Sequence, residues 1–247
     1  MRESGESPKA QDAYSRMAHL PRNAWAWEYL RRNPHYLTAY MKRDTAFLAQ
    51  WPLQRFEDPD IDARDANVFW CPDACRYVLP LTASLRCAQE DGHDFSLNGL
   101  QCRVTIHRED DRWHILFAQD GRALQLEISG TDNLDNCALF TAVLPPPRLR
   151  TARLLALRRL SDLMTHRCLR PALYPPERRS ARLIHVLRAL DLSLARAPHR
   201  DIAIALFGRE RVERDWHHAH NHLRDHVRRA ITAGRELMEG GYRKFLR

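Results

Sequence analysis

Long apolar runs, glycine and lysine are all scarce in this 247-residue sequence. No stretch approaches the roughly 18 uninterrupted apolar residues that predict a membrane span. The polar opening MRESGESPKAQDAYS lacks the apolar centre of a secretory signal. We therefore expect a cytoplasmic protein with no membrane partner. With only 9 glycines, a loop that wraps around a phosphate group is also hard to build.

Signatures of catalysis and of metal binding are missing as well. Six cysteines are spread thinly along the chain, and although Cys71 and Cys75 lie four apart, no second pair follows at zinc-site spacing. Buried thiols are the simpler expectation. The sequence has no G-x-S-x-G element, no Cys–His signature and no paired carboxylates in a glycine-rich loop. We expect neither an enzyme nor a bound cofactor or metal.

Positive charge is concentrated in the C-terminal part of the chain and is almost entirely arginine. The chain holds 39 Lys+Arg and 31 Asp+Glu; residues 148–247 hold 23 and 10 of these, a net of +13, which leaves 16 and 21, a net of −5, for residues 1–147. The only lysines are Lys9, Lys42 and Lys244. Arginine forms forked contacts to phosphate and guanine. A basic region on an otherwise acidic chain predicts a polyanionic partner, most often nucleic acid.

Hydrophobic periodicity divides the chain into four parts and predicts an α+β fold. Residues 1–20 are polar, and we expect a flexible tail. Residues 21–65 carry apolar residues at helical steps and predict a small helical domain. Residues 66–147 contain the alternating stretches CRVTIH, WHILFAQ and ALQLEIS with turn signals between them, which predicts a central antiparallel β-meander. After Pro145–Pro147, residues 148–247 predict an all-α domain of helix-turn-helix type.

The stretch RDWHHAHNHLRDHVRRAI, from Arg214 to Ile231, is rich in both histidine and arginine. We predict one long helix from about Val212 to Glu239. On a helical wheel, its apolar residues fall on one narrow face that should be buried and anchored by the indole of Trp216: Val212, Trp216, Ala219, Leu223, Val227 and Ala230.

A metal site is one interpretation of this stretch. His218, His222 and His226 have the i, i+4 spacing that can place imidazoles around one ion. No acidic residue or cysteine nearby supplies an obvious further ligand, and the surrounding arginines repel a dication. A solvated helix face is therefore the more plausible alternative.

A helix-turn-helix is the interpretation that we favour, with an ordinary basic surface helix as its alternative. RDIAIALFG supplies a first helix and Gly208 begins the turn, although GRERVERDW does not fit the common spacing and predicts a variant of the motif. Recognition helices usually contact bases with their N-terminal part, where Asn can pair with adenine and Arg with guanine. The predicted DNA-binding residues are His217, Asn221 and Arg224 for bases, and Arg228 and Arg229 for phosphate, with Arg214 nearby.

Two segments resemble domains of a known family. WAWEYLRRNPHY (25–36) and FEDPDIDARDANVFWCP (56–72) resemble the N-terminal transcriptional-regulator-like domain of FseA-like activators and antiactivators of proteobacterial integrative and conjugative elements. Residues 199–246 resemble the C-terminal domain of that family. The residues that carry this second resemblance are Asp201-Ile202-Ala203, Leu206-Phe207-Gly208, Trp216, Leu223-Arg224, Val227-Arg228-Arg229 and Gly240-Gly241-Tyr242-Arg243.

The resemblance implies a helix-turn-helix variant that binds promoter DNA and is regulated by protein contacts. We accordingly expect a sequence-specific, DNA-binding transcriptional activator of mobile-element excision and transfer genes. Its expected partners are double-stranded DNA and, as candidates, RNA polymerase, an antiactivator protein and a second copy of the chain. The alternative is an antiactivator-like module that binds another regulator without contacting DNA. Residues 25–72 are the expected protein-contact surface, with Trp25, Trp27 and Tyr29 as anchors; a packed core is the alternative for these three.

Overall fold

The computed structural model describes residues 8–85, 97–134, 137–142, 146–216 and 222–247, and its fold is α+β as the sequence predicts. N-terminal helices precede a central sheet, and C-terminal helices follow it. The helices are α1 (Pro8–Met17), α2 (Ala24–Leu30), α3 (Pro34–Lys42), α4 (Pro147–His166), α5 (Ser180–Leu194), α6 (His199–Phe207), α7 (Arg209–Asp215) and α8 (His222–Met238). The strands are β1 (Val78–Leu85), β2 (Arg103–Glu109), β3 (Arg112–Gln119), β4 (Arg122–Ser129) and β5 (Cys137–Thr141). Short 3-10 helices cover Thr45–Gln50, Pro171–Leu173 and Gly241–Leu246.

The sheet is mixed rather than wholly antiparallel. Its five strands run in the order β2-β3-β4-β1-β5. The predicted meander is present in β2, β3 and β4, where Phe117 lies opposite both Val104 and Leu124, so the alternating apolar residues share a face. Outside the predicted meander, β1 pairs in parallel with β4 through Leu79 and Leu126. Alternation identifies a strand and its faces but not its neighbour, which explains the difference.

The N-terminal segment is folded from Pro8 onward, so the prediction of a flexible tail is wrong for residues 8–20. The Tyr14 hydroxyl donates a hydrogen bond to Asp191 Oδ2 on α5 at 2.7 Å. Met17 and Leu20 are buried, and the Leu20 carbonyl accepts a hydrogen bond from the backbone amide of Glu177. A few apolar residues within a polar composition are enough to dock this helix.

The aromatic residues of α2 belong to the core. Trp25, Trp27 and Tyr29 are buried, which corrects their prediction as partner anchors and confirms the packed-core alternative. The Tyr29 hydroxyl donates to the Leu183 carbonyl of α5 at 3.1 Å, and its ring stacks on Phe245 with 6.2 Å between centroids. One hydrophobic core therefore joins the N-terminal helices to α5, to α8 and to the 3-10 helix Gly241–Leu246.

A buried ion-pair network reinforces this junction. Glu28 is fully buried and accepts hydrogen bonds from Arg31 Nε at 2.9 Å, from Arg32 Nη1 at 2.8 Å and from the Ala63 amide at 2.7 Å. Burial alone would raise the pKa of Glu28, but the charges of Arg31 and Arg32 outweigh it and hold that pKa below its usual value. Arg32 also binds Asp191, so a single guanidinium connects α2 to α5.

A second core lies between the sheet and α4. Ala156, Leu160 and Leu163 of α4 pack with buried sheet residues such as Phe117 and Leu126. No helix in the described ranges is both long and apolar enough to cross a bilayer.

Candidate nucleic-acid interface

A single glycine joins the two helices α6 and α7. Gly208 has φ 87° and ψ 151°, a conformation that is essentially restricted to glycine, and its amide donates to the Ile204 carbonyl at 2.9 Å. The Val212 amide then donates to the Gly208 carbonyl at 3.2 Å and starts the hydrogen bonds of α7. A Cβ atom built on Gly208 would meet nothing within 4 Å, so the backbone conformation, and not lack of space, calls for glycine here.

A separate hydrophobic cluster holds α6, α7 and α8 together. Its buried members include Ile202 and Ala203 of α6 and Val212 of α7, which are fully buried. Trp216, Leu223, Val227 and Ala230 are buried in the same cluster, as the wheel predicts; Ala219 lies outside the described residues. The apolar face of this region is therefore confirmed at every position that the structure describes.

The predicted long helix is interrupted after Asp215. α7 begins at Arg209, before the predicted start, and ends at Asp215, while α8 runs from His222 to Met238. An amphipathic pattern shows which side of a segment is buried and not whether the segment is one helix, which explains the error. The motif is thus α6, a one-residue corner, α7 and then α8.

The arginines of α8 lie on the side opposite its apolar face. Arg224, Arg228 and Arg229 are all exposed, whereas Leu223 and Val227 between them are buried. The helix packs on α5 so closely that a Cβ atom at Gly234 would come within 2.9 Å of Leu190 Cβ. Packing on α5 therefore fixes which side of α8 faces solvent.

The three guanidinium groups have different local contacts. Arg224 lies over the indole of Trp216, 5.0 Å from the ring centroid, so one arginine touches the residue that anchors the cluster. Arg228 Nη2 pairs with Asp225 Oδ1 at 3.1 Å, with both side chains more than half exposed. Arg229 Nε donates to the Asp225 carbonyl at 3.3 Å. Asp225 is thus the acidic residue that contacts both Arg228 and Arg229, through its carboxylate and its carbonyl oxygen respectively.

The helices α7 and α8 differ in net charge. α7 contains three arginines, two glutamates and one aspartate, a net of zero. α8 contains four arginines, one aspartate and one glutamate, a net of +2. Arg214, the predicted DNA-binding residue on α7, is exposed, but it sits on this neutral helix. The positive part of the predicted site is therefore in α8.

The remaining predicted site residues, His217 and Asn221, lie outside the described residues. The same is true of His218, one of the three histidines of the metal interpretation. Among the residues that the structure describes, no group of three or more His, Cys, Asp or Glu side chains is placed to hold a metal ion.

Two histidines contact Phe207 beside the cluster. His185 of α5 lies 5.4 Å from Phe207, and His226 of α8 meets the same ring edge-on at 6.2 Å. Burial, with smaller contributions from Arg188 and His226, lowers the pKa of His185. This shift favours the neutral form of His185.

Two exposed arginines near the corner were not among the predicted site residues. Arg200 lies at the start of α6 and Arg209 at the start of α7, where it pairs weakly with Glu213 at 3.9 Å. No local excess of positive charge marks them in the sequence, because α6 and α7 each have a net charge of zero.

Comparison with protein families gives two matches on this chain. Residues 143–247 match the family described as T6SS, Transcription factor, DNA binding domain. Residues 8–63 match the proteobacterial transcriptional regulator-like domain. The two matches support a DNA-binding transcription regulator. The C-terminal match covers α4 to α8 and so includes the glycine corner and the arginines of α8, and its description refers to the T6SS and not to mobile elements. No curated protein matches the chain.

Proposed function

We propose that this regulator binds specific DNA sequences by docking the N-terminal part of α8 on duplex DNA. The observation that carries the proposal is the exposure of Arg224, Arg228 and Arg229 beside the buried residues Leu223 and Val227. A rigid, partly buried helix presents these guanidinium groups at fixed positions, as recognition by bidentate contacts requires. The chain is proposed to have no catalytic role.

The contacts of α8 favour different roles for its arginines. Arg228 can exchange Asp225 for a DNA phosphate at small cost, because an exposed ion pair contributes only about 0–1 kcal/mol. Arg229 lies next to it and is suited to the same task. Arg224 rests on the Trp216 ring, which limits its freedom and favours a directed contact to a base.

Two sets of target genes are supported by different observations. The resemblance of residues 25–36, 56–72 and 199–246 to regulators of integrative and conjugative elements supports activation of excision and transfer genes. The family description of residues 143–247 supports regulation of T6SS genes. RNA polymerase, an antiactivator protein and a second copy of the chain are the proposed protein partners.

Selection from a random duplex library tests specific binding directly. The purified full chain is mixed with duplexes that carry a random central segment, and the bound fraction is sequenced after several rounds. We expect a single enriched motif. Retention without any enriched motif would reject sequence-specific recognition, and a failure to retain DNA at low salt would favour the antiactivator-like alternative. A genome-wide map of bound DNA in the host then separates transfer genes from T6SS genes.

A further inference from the structure

A cavity of about 430 Å³ lies where three parts of the chain meet, away from the arginines of α8. Its walls come from the segment 72–76, from the first turns of α4 and from the C-terminal 3-10 helix with the residue after it. Five arginines line it: Arg76, Arg148, Arg153, Arg243 and Arg247. Asp73 is the one acidic side chain in the lining, so the lining side chains carry five positive charges and one negative.

These five guanidinium groups have few carboxylates near them, Asp73 in the lining and Glu127 near Arg153. In the ranges that the structure describes, none of the five forms an ion pair. Arg243 Nη2 donates to the Gln50 carbonyl at 2.7 Å, which orients it without neutralising it. Arg148 and Arg247 are exposed and the other three are partly buried, so the cavity gathers five like charges around one carboxylate.

In Arg153, one buried atom of the guanidinium group, Nη1, lacks a hydrogen-bond partner. The neighbouring thiol supplies no negative charge, since burial raises the pKa of Cys75 to about 11. A buried donor without an acceptor costs free energy that a bound anion would recover.

We propose that this cavity binds a small phosphate-bearing anion, such as a nucleotide, and acts as an effector site. The volume is within the range of small-molecule sites, and Pro72, Leu149 and Leu246 add apolar wall for an organic group. Arginine is the preferred ligand for phosphate because of its forked donors. The N-terminus of α4, a 20-residue helix, adds its partial positive charge at Arg148.

The position of the cavity favours a free ligand over the DNA backbone. It is a concave space lined in part by the 3-10 helix Gly241–Leu246, which follows α8 in the chain. Arg224 and Met238 are 14 residues apart in α8, about 21 Å at 1.5 Å per residue. The proposed DNA-contacting arginines are therefore near the beginning of α8, whereas the cavity is lined by the 3-10 helix that follows its end.

Occupation of the cavity would connect two parts of the molecule. α4 packs on the sheet, while the 3-10 helix Gly241–Leu246 packs on α2 and on α8. An anion held by Arg148 and Arg153 on one side and by Arg243 on the other bridges these units. The DNA-binding helix thereby becomes sensitive to the ligand.

The test measures binding of defined anions to the full chain in chloride buffer without phosphate or sulfate. The probes are pyrophosphate, ADP and GDP. Titration calorimetry and thermal melting measure their binding. We expect at least one probe to bind and, at a hundredfold excess over its Kd, to raise the Tm by about 5–10 °C. Arg148→Gln combined with Arg153→Gln should raise that Kd about tenfold or more.

Matched variants separate loss of the site from loss of the fold. Arg158→Gln changes an exposed arginine farther along α4 and should leave the Kd within about twofold. Arg148→Gln alone changes an exposed residue in the first turn, so it keeps the fold and should still weaken binding. Failure of every probe to bind, or equal affinity in the Arg148→Gln and wild-type chains, overturns the proposal. The same holds if Arg148→Gln weakens only duplex DNA, because the cavity would then be part of the DNA surface.

Discussion

At the scale of the single residue, Arg224 is exposed to solvent while its guanidinium group lies over the ring of Trp216. If it contacts a base, Arg224→Ala should cost about 1–3 kcal/mol of binding free energy on the selected motif and relax the base preference at one position. Competition binding with duplexes that vary at each position measures both effects. An unchanged preference profile in the variant would assign base contacts to other residues.

Glu28 is the residue on which the ion-pair network of the core depends. Glu28→Gln should lower the free energy of unfolding by about 3–5 kcal/mol, because Arg31 would lose its carboxylate partner and Arg32 would keep only Asp191. Chemical denaturation at pH 7 measures this loss. Glu57→Gln is the control. Burial raises the pKa of the Glu57 carboxyl, so its replacement should lower the free energy of unfolding much less.

The lowered pKa of Glu28 also sets a pH dependence with a definite sign. A carboxyl that is more acidic in the folded state stabilises the fold above its unfolded pKa, near 4.5, and this contribution is lost as the pH falls below that value through the folded pKa. The difference in stability between wild type and Glu28→Gln should therefore shrink from pH 5 downwards. A constant difference across that range would contradict the assigned ion pairs.

At the scale of elements, the one-residue corner between α6 and α7 can be tested by replacing Gly208. Gly208→Ala should destabilise the chain by about 1–3 kcal/mol, because the φ and ψ angles at this position suit glycine alone while the space around it is open. Chemical denaturation and DNA binding are the measurements. Ala205→Gly, within α6, is the control and should cost about 0.5–1 kcal/mol through helix propensity. If Gly208→Ala unfolds like wild type, the tight corner is absent in solution.

The buried and exposed faces of an element could be predicted from the sequence where its hydrophobic periodicity is regular. The faces of β2, β3 and β4 and the buried side of α8 follow from alternation and from the helical wheel, and both are confirmed. The break between α7 and α8 was not predictable in this way. Val212, Trp216 and Leu223 stay in phase on one wheel although they belong to different elements, because the shared core requires only that each faces inward.

The whole molecule is held together by one core that spans the acidic and basic parts of the chain. Leu183, Leu237 and Phe245 of the C-terminal part pack with Trp25 and Tyr29 of the N-terminal part. Which apolar surfaces meet could not be predicted, because hydrophobic attraction has no direction and specifies no partner. The exposure of the arginines of α8 could be predicted, because the core occupies the other side of the helix.

This shared core predicts the effect of truncation. A chain that begins at residue 64 lacks α1, α2 and α3 and exposes the apolar surface of Leu183 and Phe245. We expect it to lose cooperative thermal unfolding and to bind a hydrophobic dye, whereas a chain that begins at Pro8 should melt like the full chain. Cooperative, wild-type melting of the shorter chain would show that the C-terminal domain folds independently of α2.

The most direct test of DNA binding by α8 is the salt dependence of affinity for the selected duplex, measured by fluorescence anisotropy. Each lost phosphate contact reduces the slope of log K against log salt concentration by about 0.9, so Arg228→Ala with Arg229→Ala should flatten it by about 1.8. Arg108→Ala with Arg158→Ala removes the same charge from β2 and α4 and should leave the slope unchanged. An unchanged slope in the first pair, or an equal decrease in both pairs, would contradict the account.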